Sequence, residues 1–450
     1  MGRRREEGQL TVADGGKEAG RADLKWDAGD TGRIIVMALH STDADHVIVG
    51  GGQAGFYAST AIRRRDASAR VLLICDEAHL PYDRVPLSKD YLVNKRPREK
   101  IFFRPKEFYE NQKIEVISGK RATKLDKSGR VVKLEDDTEV AFGRLLLATG
   151  GRPRILPLPG SNLGGIHYLR TIDDCERIKE AMKKARNAVV VGGGFIGCEV
   201  AAAFATRGLK TTIVEVASYP LNVAVNEETG RWIAGYFRGR GVDVMTDTQV
   251  SAFVGRDGAV EAVRTSRGEL PADLVAVGVG IAPNIELAQE AGLKVDRGIV
   301  VDEYLQTDSE GLYAAGDVAR FYSPIFERHL RVEHYDVAAK QGMTAGANMT
   351  GERRPFADLP FFFSFMFDLK INAYGDLGKK TRIVSRGSVR AEKGFFQLYF
   401  DDGVLNGFLS VNRPFQEVNE LKRVILSRKS FPDISLFEDE SWSLGALIPA

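Results

Sequence analysis

Two stretches of the chain carry the same order of apolar and polar positions. The first opens on Asp45-His46-Val47-Ile48-Val49, an apolar run that reads as a buried strand. It enters Gly50-Gly51-Gly52-Gln53-Ala54-Gly55 directly, and Phe56 to Arg65 continues at helical spacing. A second apolar run, Val71-Leu72-Leu73-Ile74-Cys75, ends in Asp76-Glu77. The second stretch repeats the order with Ala188-Val189-Val190-Val191 and then Gly192-Gly193-Gly194-Phe195-Ile196-Gly197. A helix through Glu199, Ala203 and Phe204 follows, and Thr211-Thr212-Ile213-Val214 closes on Glu215. Strand, glycine turn, helix, strand and acid make a βαβ unit with a dinucleotide fingerprint. The glycines let backbone N–H groups approach a pyrophosphate at the helix N-terminus, and the acid accepts hydrogen bonds from a ribose diol. One such match is a weak signal. Two of them, about 140 residues apart, each preceded by a strand and followed by an acid, predict two dinucleotide sites in one chain.

Three weaker segments sit around these units. Leu145-Leu146-Leu147 runs into Ala148-Thr149-Gly150-Gly151-Arg152-Pro153, a strand ending in a small-residue turn with basic side chains beyond. Leu274 to Gly278, with Gly280 and Pro283-Asn284, is a fainter analogue. Leu312-Tyr313-Ala314-Ala315-Gly316-Asp317-Val318 is a further strand meeting a glycine turn and then an acid. From about residue 326 aromatic and β-branched runs dominate: Pro360 to Phe363, Arg382-Ile383-Val384 and Phe395 to Phe400. Asp401-Asp402-Gly403 is a hairpin signal, and Gln416 to Ser427 returns to helical spacing. The aromatics here read as core. The expected organisation is α/β: a flexible extension over 1–44, a first dinucleotide domain over 45–154 and 272–325, a second over 155–271, and a C-terminal α+β domain over 326–450.

Composition narrows the function. At 450 residues the chain is too long for one core. Glycine stands at 47, above the usual ~7%, which fits turns built around a ligand. Lys+Arg 63 against Asp+Glu 61 leaves +2, so no bulk basic field points to nucleic acid, and Lys379-Lys380 is too short a run to alter that. The three cysteines, Cys75, Cys175 and Cys198, form no CxxC or CxxxxC pair, which disfavours a dithiol relay and a thiolate metal site. No metal site is expected. A reducing compartment, the cytoplasm, fits best. The longest apolar runs, such as Phe361 to Phe367, fall far short of the ~20 residues of a spanning helix. Arg3-Arg4-Arg5 is not followed by the apolar core of an export signal, and 1–42 reads as polar and aperiodic, with Met37 as an alternative start.

The full set resembles the FAD-dependent pyridine-nucleotide oxidoreductases. Within them, Leu80-Pro81-Tyr82-Asp83-Arg84-Val85-Pro86-Leu87-Ser88-Lys89 resembles the LPYxRPPLSK segment of oxygenase-coupled ferredoxin reductases and apoptosis-inducing factor. Arg331-Val332-Glu333-His334-Tyr335-Asp336 resembles the RVEHxD segment of the latter. The resemblance covers roughly 45–430. It implies a glutathione-reductase-like architecture, two Rossmann-like three-layer domains followed by an interface-type domain, and is compatible with a homodimer. FAD would lie in the first unit: Gly50, Gly52 and Gly55 on its pyrophosphate, Asp76 (Glu77 as the alternative) on the adenosine ribose, Arg84 and Lys89 beside the flavin, and Asp317 with Gly316 on the ribityl chain. Ala148, Thr149, Gly150, Arg152 and Gly280 would complete the cofactor contacts. Gly192, Gly194 and Gly197 would take the nicotinamide cofactor, and Glu215 the second ribose. A carboxylate there repels a 2′-phosphate, so NADH is expected over NADPH.

The resemblance also assembles a reaction centre. Phe195 matches the family's aromatic beside the nicotinamide. Glu199, one turn along the same helix face, matches the partner of Lys89. Glu333 and His334 would face the nicotinamide, and Phe363 would sandwich it with Phe195. The chain departs from the pattern at Val85, at Tyr335 and at the FWSD segment, which reads Phe363-Ser364-Phe365 here, with Phe363 for the Trp and Phe365 for the Asp. These changes sit where acceptors dock. The implied activity is hydride transfer from NADH to FAD and onward delivery to a ferredoxin-like protein, a quinone or oxygen, without a redox disulfide. The alternative is a redox-gated binding protein like apoptosis-inducing factor, with slow turnover and a long-lived complex of reduced flavin with NAD⁺.

Overall fold

The computed structural model describes residues 41–389 and 394–447. The first sheet is built on Ser41–Val49, which pairs in parallel with Val71–Cys75 on one side and Glu139–Leu147 on the other. Ile114–Ser118 extends it past Val71–Cys75, and Leu312–Ala314 returns late in the chain to pair with Leu145 to Leu147. Val71–Cys75 is buried at every position, the signature of a parallel strand covered on both faces. The helix Gln53–Arg65 covers one face through Ala54, Phe56, Ala58, Ala61 and Ile62, and Arg63, Arg64 and Arg65 in its last turn suit the negative end of the helix dipole. Against it lies Tyr335–Met349. A Cβ on Gly342 would stand 2.2 Å from the Ala54 carbonyl oxygen, and one on Gly346 would stand 2.6 Å from that of Ala58, so the two backbones touch.

The second sheet is wholly parallel, in the order Val242–Met245, Lys210–Val214, Asn187–Val191, Leu274–Val277, Ile166–Tyr168. The antiparallel strands Val250–Arg256, Ala259–Thr265 and Gly268–Pro271 form a separate layer whose Phe253, Val260 and Val263 pack beneath it. A short antiparallel pair, Gly151–Pro153 with Ile281–Pro283, carries the chain out of the first unit and back. The last unit is a five-stranded antiparallel sheet with Phe361–Met366 at one edge and Arg382–Gly387 at the other, backed by Phe415–Ser427. Its centre is aromatic: Phe395, Phe396, Tyr399, Phe400 and Phe408 are fully buried. Asp402 and Gly403 both take positive φ between Phe395–Asp401 and Val404–Val411, the tight hairpin the sequence signals.

Three expected boundaries move. Leu274–Val277 belongs to the second sheet, where it pairs with Asn187–Val191, so the return to the first unit falls after 277 and not at 272. Arg328–Leu330 pairs with Ala319–Ser323, and Tyr335–Met349 packs on Gln53–Arg65, so the first unit extends past 326 and the last sheet begins at Phe361. The extension expected over 1–44 lies outside the described residues apart from 41–44, which already form the start of Ser41–Val49. Among the described residues no helix is long and apolar enough to cross a membrane, and no group of three or more His, Cys, Asp or Glu side chains is placed to hold a metal ion.

Candidate functional site

Both glycine turns lie at the carboxyl ends of central strands and open a helix. Gly50 takes φ +119° and Gly192 φ +105°, conformations that only glycine adopts readily, and a Cβ on either would meet a carbonyl oxygen: Ala148 at 2.1 Å or Gly278 at 2.4 Å. The third glycine of each turn is closed in the same way. A Cβ on Gly55 would stand 1.9 Å from the Gly50 oxygen, and one on Gly197 2.0 Å from that of Gly192. The middle glycines differ, because nothing lies within 4 Å of a Cβ on Gly52 or Gly194. Neither helix has a side-chain cap, so the first-turn N–H groups face that open space. Two tight outer glycines and an open middle one are what a pyrophosphate against a helix N-terminus requires, and the residues fit the group at both positions.

The ribose-binding acids separate on geometry. Asp76 is exposed at the end of Val71–Cys75 and makes no hydrogen bond or ion pair with another described residue. Glu77 is engaged: its Oε1 accepts from Arg84 Nη2 at 2.5 Å and its Oε2 from the Tyr82 hydroxyl at 2.5 Å. In the second unit Glu215 folds back on its own turn, accepting from the Gly193 N–H at 2.5 Å and the Ala217 N–H at 2.8 Å. Those two bonds fix the carboxylate beside the glycine turn, and each oxygen keeps a lone pair for a ribose hydroxyl. No arginine or lysine lies between 215 and 222 to attract a 2′-phosphate.

The small-residue turns knit the two strand crossings together. The Thr149 hydroxyl donates to the Asn284 carbonyl at 2.7 Å, and the Asn284 side-chain amide donates back to the Thr149 carbonyl at 2.8 Å. Arg152 reaches the Asn284 side chain at 2.8 Å and Glu286 at 2.6 Å, so its guanidinium is held on the outer side of this joint. Gly280 takes φ +94° and its carbonyl accepts from the Arg154 N–H. Asp317 accepts from Arg170 at 2.9 Å, and the Arg170 carbonyl accepts from Arg84 at 2.9 Å. Gly316 donates its N–H to the buried Gln341 side chain at 2.8 Å. Asn284 belongs to the fainter segment singled out in the sequence, whereas Arg170 and Gln341 carry no motif of their own, and only the assembled fold brings them here.

At the meeting of all three units Lys89 donates to Glu199 at 2.6 Å, as the resemblance implies. Glu199 is buried, and two hydroxyls the sequence did not single out complete its shell: Ser88 donates at 2.5 Å and Ser364 at 2.6 Å. Phe195 opens the helix that carries Glu199. Its ring lies edge-on to Phe362, with centroids 4.9 Å apart, and Phe362 in turn lies 4.5 Å from the His334 ring. Burial pushes the His334 imidazole down to about 4, so it is neutral near neutrality, and its Nδ1 has no partner among the described residues. Glu333, by contrast, is exposed and paired with Arg331 at 2.6 Å. The expected ring opposite Phe195 is corrected. Alternation along Phe361–Met366 turns Phe362 and Ser364 inward and places Phe363 with Phe361 and Phe365 on the other face.

Comparison with known proteins gives the family. The pyridine nucleotide-disulphide oxidoreductase family model matches residues 44–342, and a reductase C-terminal model matches 361–448. Rhodocoxin reductase of Rhodococcus erythropolis is 38% identical over 371 residues, 82% of this chain and 86% of that protein. Putidaredoxin reductase of Pseudomonas putida is 35% identical over 410 residues, 90% of this chain and 96% of that protein. Among solved structures, a ferredoxin reductase from Rhodopseudomonas palustris superposes with a TM-score of 0.84 at 36% identity, covering 90% of this chain and all of that one. The covalent putidaredoxin reductase–putidaredoxin complex gives a TM-score of 0.84 at 34% identity, covering 89% and 97%.

Proposed function

The chain belongs to the pyridine nucleotide-disulphide oxidoreductase family, and from that premise we propose that it is an FAD-containing, NADH-dependent reductase that passes electrons to a ferredoxin-like iron–sulfur protein. When bound, the flavin supplies acceptance of hydride from NADH and release of electrons one at a time to the partner. This chain's residues bind, orient and shield. The Gly50 turn and the helix Gln53–Arg65 take the FAD pyrophosphate, and Asp76, free where Glu77 is engaged, takes its ribose. Asp317, Arg170, Lys89, the 148–152 turn and Gly280 line the rest of that site. The Gly192 turn and Glu215 take NADH, and the lack of an arginine or lysine between 215 and 222 disfavours a 2′-phosphate.

Phe195, Phe362 and His334 give the reacting rings an apolar wall with no charged group of their own. Lys89 places a positive charge beside the site, where negative charge develops on reduction. Despite the family's name, no thiol relay operates. All three cysteines are buried and unpaired, and burial pushes the Cys175 thiol up to about 12. We place the protein in the cytoplasm, where free thiols persist and NADH is at hand. Carrying the reading is the Lys89–Glu199 pair, because it closes the first and second dinucleotide units onto one point. The test is anaerobic addition of NADH to the purified holoprotein, followed by oxidised ferredoxin. The visible band of oxidised flavin should bleach and then recover as the ferredoxin is reduced, and a band that NADH leaves unchanged would overturn the proposal. The redox-gated alternative is not favoured, because the relatives above are reductases by name.

A further inference from the structure

The Glu199 carboxylate is a group that all three units touch. It stands on Phe195–Thr206 of the second unit. Its Oε2 accepts from Ser88 and Lys89 of the first, and its Oε1 accepts from Ser364 of the last. The side chains are sealed: Glu199 is 4% exposed, Ser88 4% and Ser364 1%. A carboxylate cut off from water is costly unless its lone pairs are filled, and three donors fill both on Oε2 and one on Oε1.

The chemistry of those donors matters. Lysine is a point charge on a flexible four-carbon stem with three N–H donors, and it does not hold a position by itself. One of its donors goes to Glu199. Had the other two acceptor positions on Glu199 been filled by arginine or a second lysine, the net charge would change and Lys89 would lose its exclusive counter-ion. Two neutral hydroxyls instead fix the carboxylate plane and leave the pair neutral as a whole. The Ser364 bond also has a lever arm. Phe361–Met366 is an edge strand, and the same inward face that presents Ser364 to Glu199 presents Phe362 to Phe195 and His334. Seating that strand therefore sets the ring wall and the carboxylate together.

We propose that Ser364 and Ser88 are positioning residues of the reductase: they hold Glu199 so that Lys89 is delivered to the flavin side, and Ser364 makes this setting depend on the docked C-terminal sheet. The proposal rests on the NADH–flavin reading above. One charge-assisted hydrogen bond corresponds to about a tenfold change, or about 1.4 kcal/mol. Ser364→Ala should therefore slow anaerobic flavin reduction at saturating NADH about tenfold while leaving the KM for NADH within about twofold, because no nucleotide contact is removed. The flavin midpoint potential should become more negative, since reduced flavin loses a fixed cation.

Ser364→Thr, which keeps the hydroxyl, should recover most of the rate. In a Glu199→Gln background, Ser364→Ala should add less than about twofold, because the two changes act through one group. Ser88→Ala carries the same expectation from the first unit, so a Ser364 variant that does not fold leaves the test standing. An unaltered rate and potential in both alanine variants would overturn the proposal. So would an equal slowing with and without Glu199, which would mark a packing effect. If the unsubstituted protein is not reduced by NADH at all, the parent reading fails first, and the two failures are told apart by that control.

Discussion

The two glycine turns allow one substitution to be read in opposite senses three residues apart. A Cβ on Gly197 would stand 2.0 Å from the Gly192 carbonyl oxygen, well inside van der Waals contact and against backbone rather than a movable side chain. Gly197→Ala must then part the helix Phe195–Thr206 from the turn that precedes it, an overpacking cost of about 3 kcal/mol. In a domain of this size that corresponds to a fall of roughly 6–12 °C in Tm. Gly194 is the opposite case. Its φ of −74° is ordinary, and nothing lies within 4 Å of the new methyl. Gly194→Ala loses only the N-cap preference, about 0.5–1 kcal/mol, or about 1–4 °C. The methyl instead occupies the space through which the nicotinamide cofactor's pyrophosphate approaches, so the KM for NADH should rise at least ~10-fold with FAD content unchanged. Thermal melts followed by flavin fluorescence, with anaerobic reduction as a function of NADH concentration, read both quantities. A Gly194→Ala protein that melts early yet keeps its KM, or a Gly197→Ala protein with an unaltered Tm, would refute the assignment of roles within the turn.

Three further outcomes follow from the site. Lys89→Met leaves the buried Glu199 without its ion-pair partner and should cost about 3–5 kcal/mol in chemical denaturation. Adding Glu199→Gln, which removes the unpaired charge and keeps an acceptor for Ser88 and Ser364, should restore much of that stability but not the rate of flavin reduction, and a rate restored along with stability would show the charge to be unused. Glu215→Gln removes the repulsion of a 2′-phosphate and should raise kcat/KM for NADPH relative to NADH by about tenfold, with two substrate titrations as the check. Burial lowers the folded His334 value to about 4 from 6.5, so the unfolded chain binds the proton more readily. Stability from this group is full above 6.5 and is lost as pH falls toward 4, by up to about 3 kcal/mol. His334→Gln should flatten the slope of denaturation midpoint against pH within that window, and a slope that persists would assign it to other groups.

The chain itself determined the two dinucleotide units. Apolar runs such as Val71–Cys75 have to be buried on both faces, and glycines at fixed spacing after a strand permit little besides a turn into a helix. Cofactor class, the expected Lys89–Glu199 pairing and the absence of a thiol relay followed from those residues and the family segments they resemble. What the chain could not settle was contact between segments far apart in sequence. Leu274–Val277 is apolar enough for either parallel sheet, and only its register beside Asn187–Val191 assigns it to the second. Of three consecutive phenylalanines, the strand's two-residue alternation and the packing of Tyr335–Met349 beside it decide that Phe362, and not Phe363, meets Phe195. Ser88 and Ser364 lie inside segments the resemblance singles out and Arg170 in none, but a hydroxyl or a guanidinium acquires its role only from the charge that folding sets against it. Composition and period record what each segment must bury, whereas a partner 111 or 165 residues away, as Glu199 is for Ser88 and Ser364, is fixed by the tertiary structure alone.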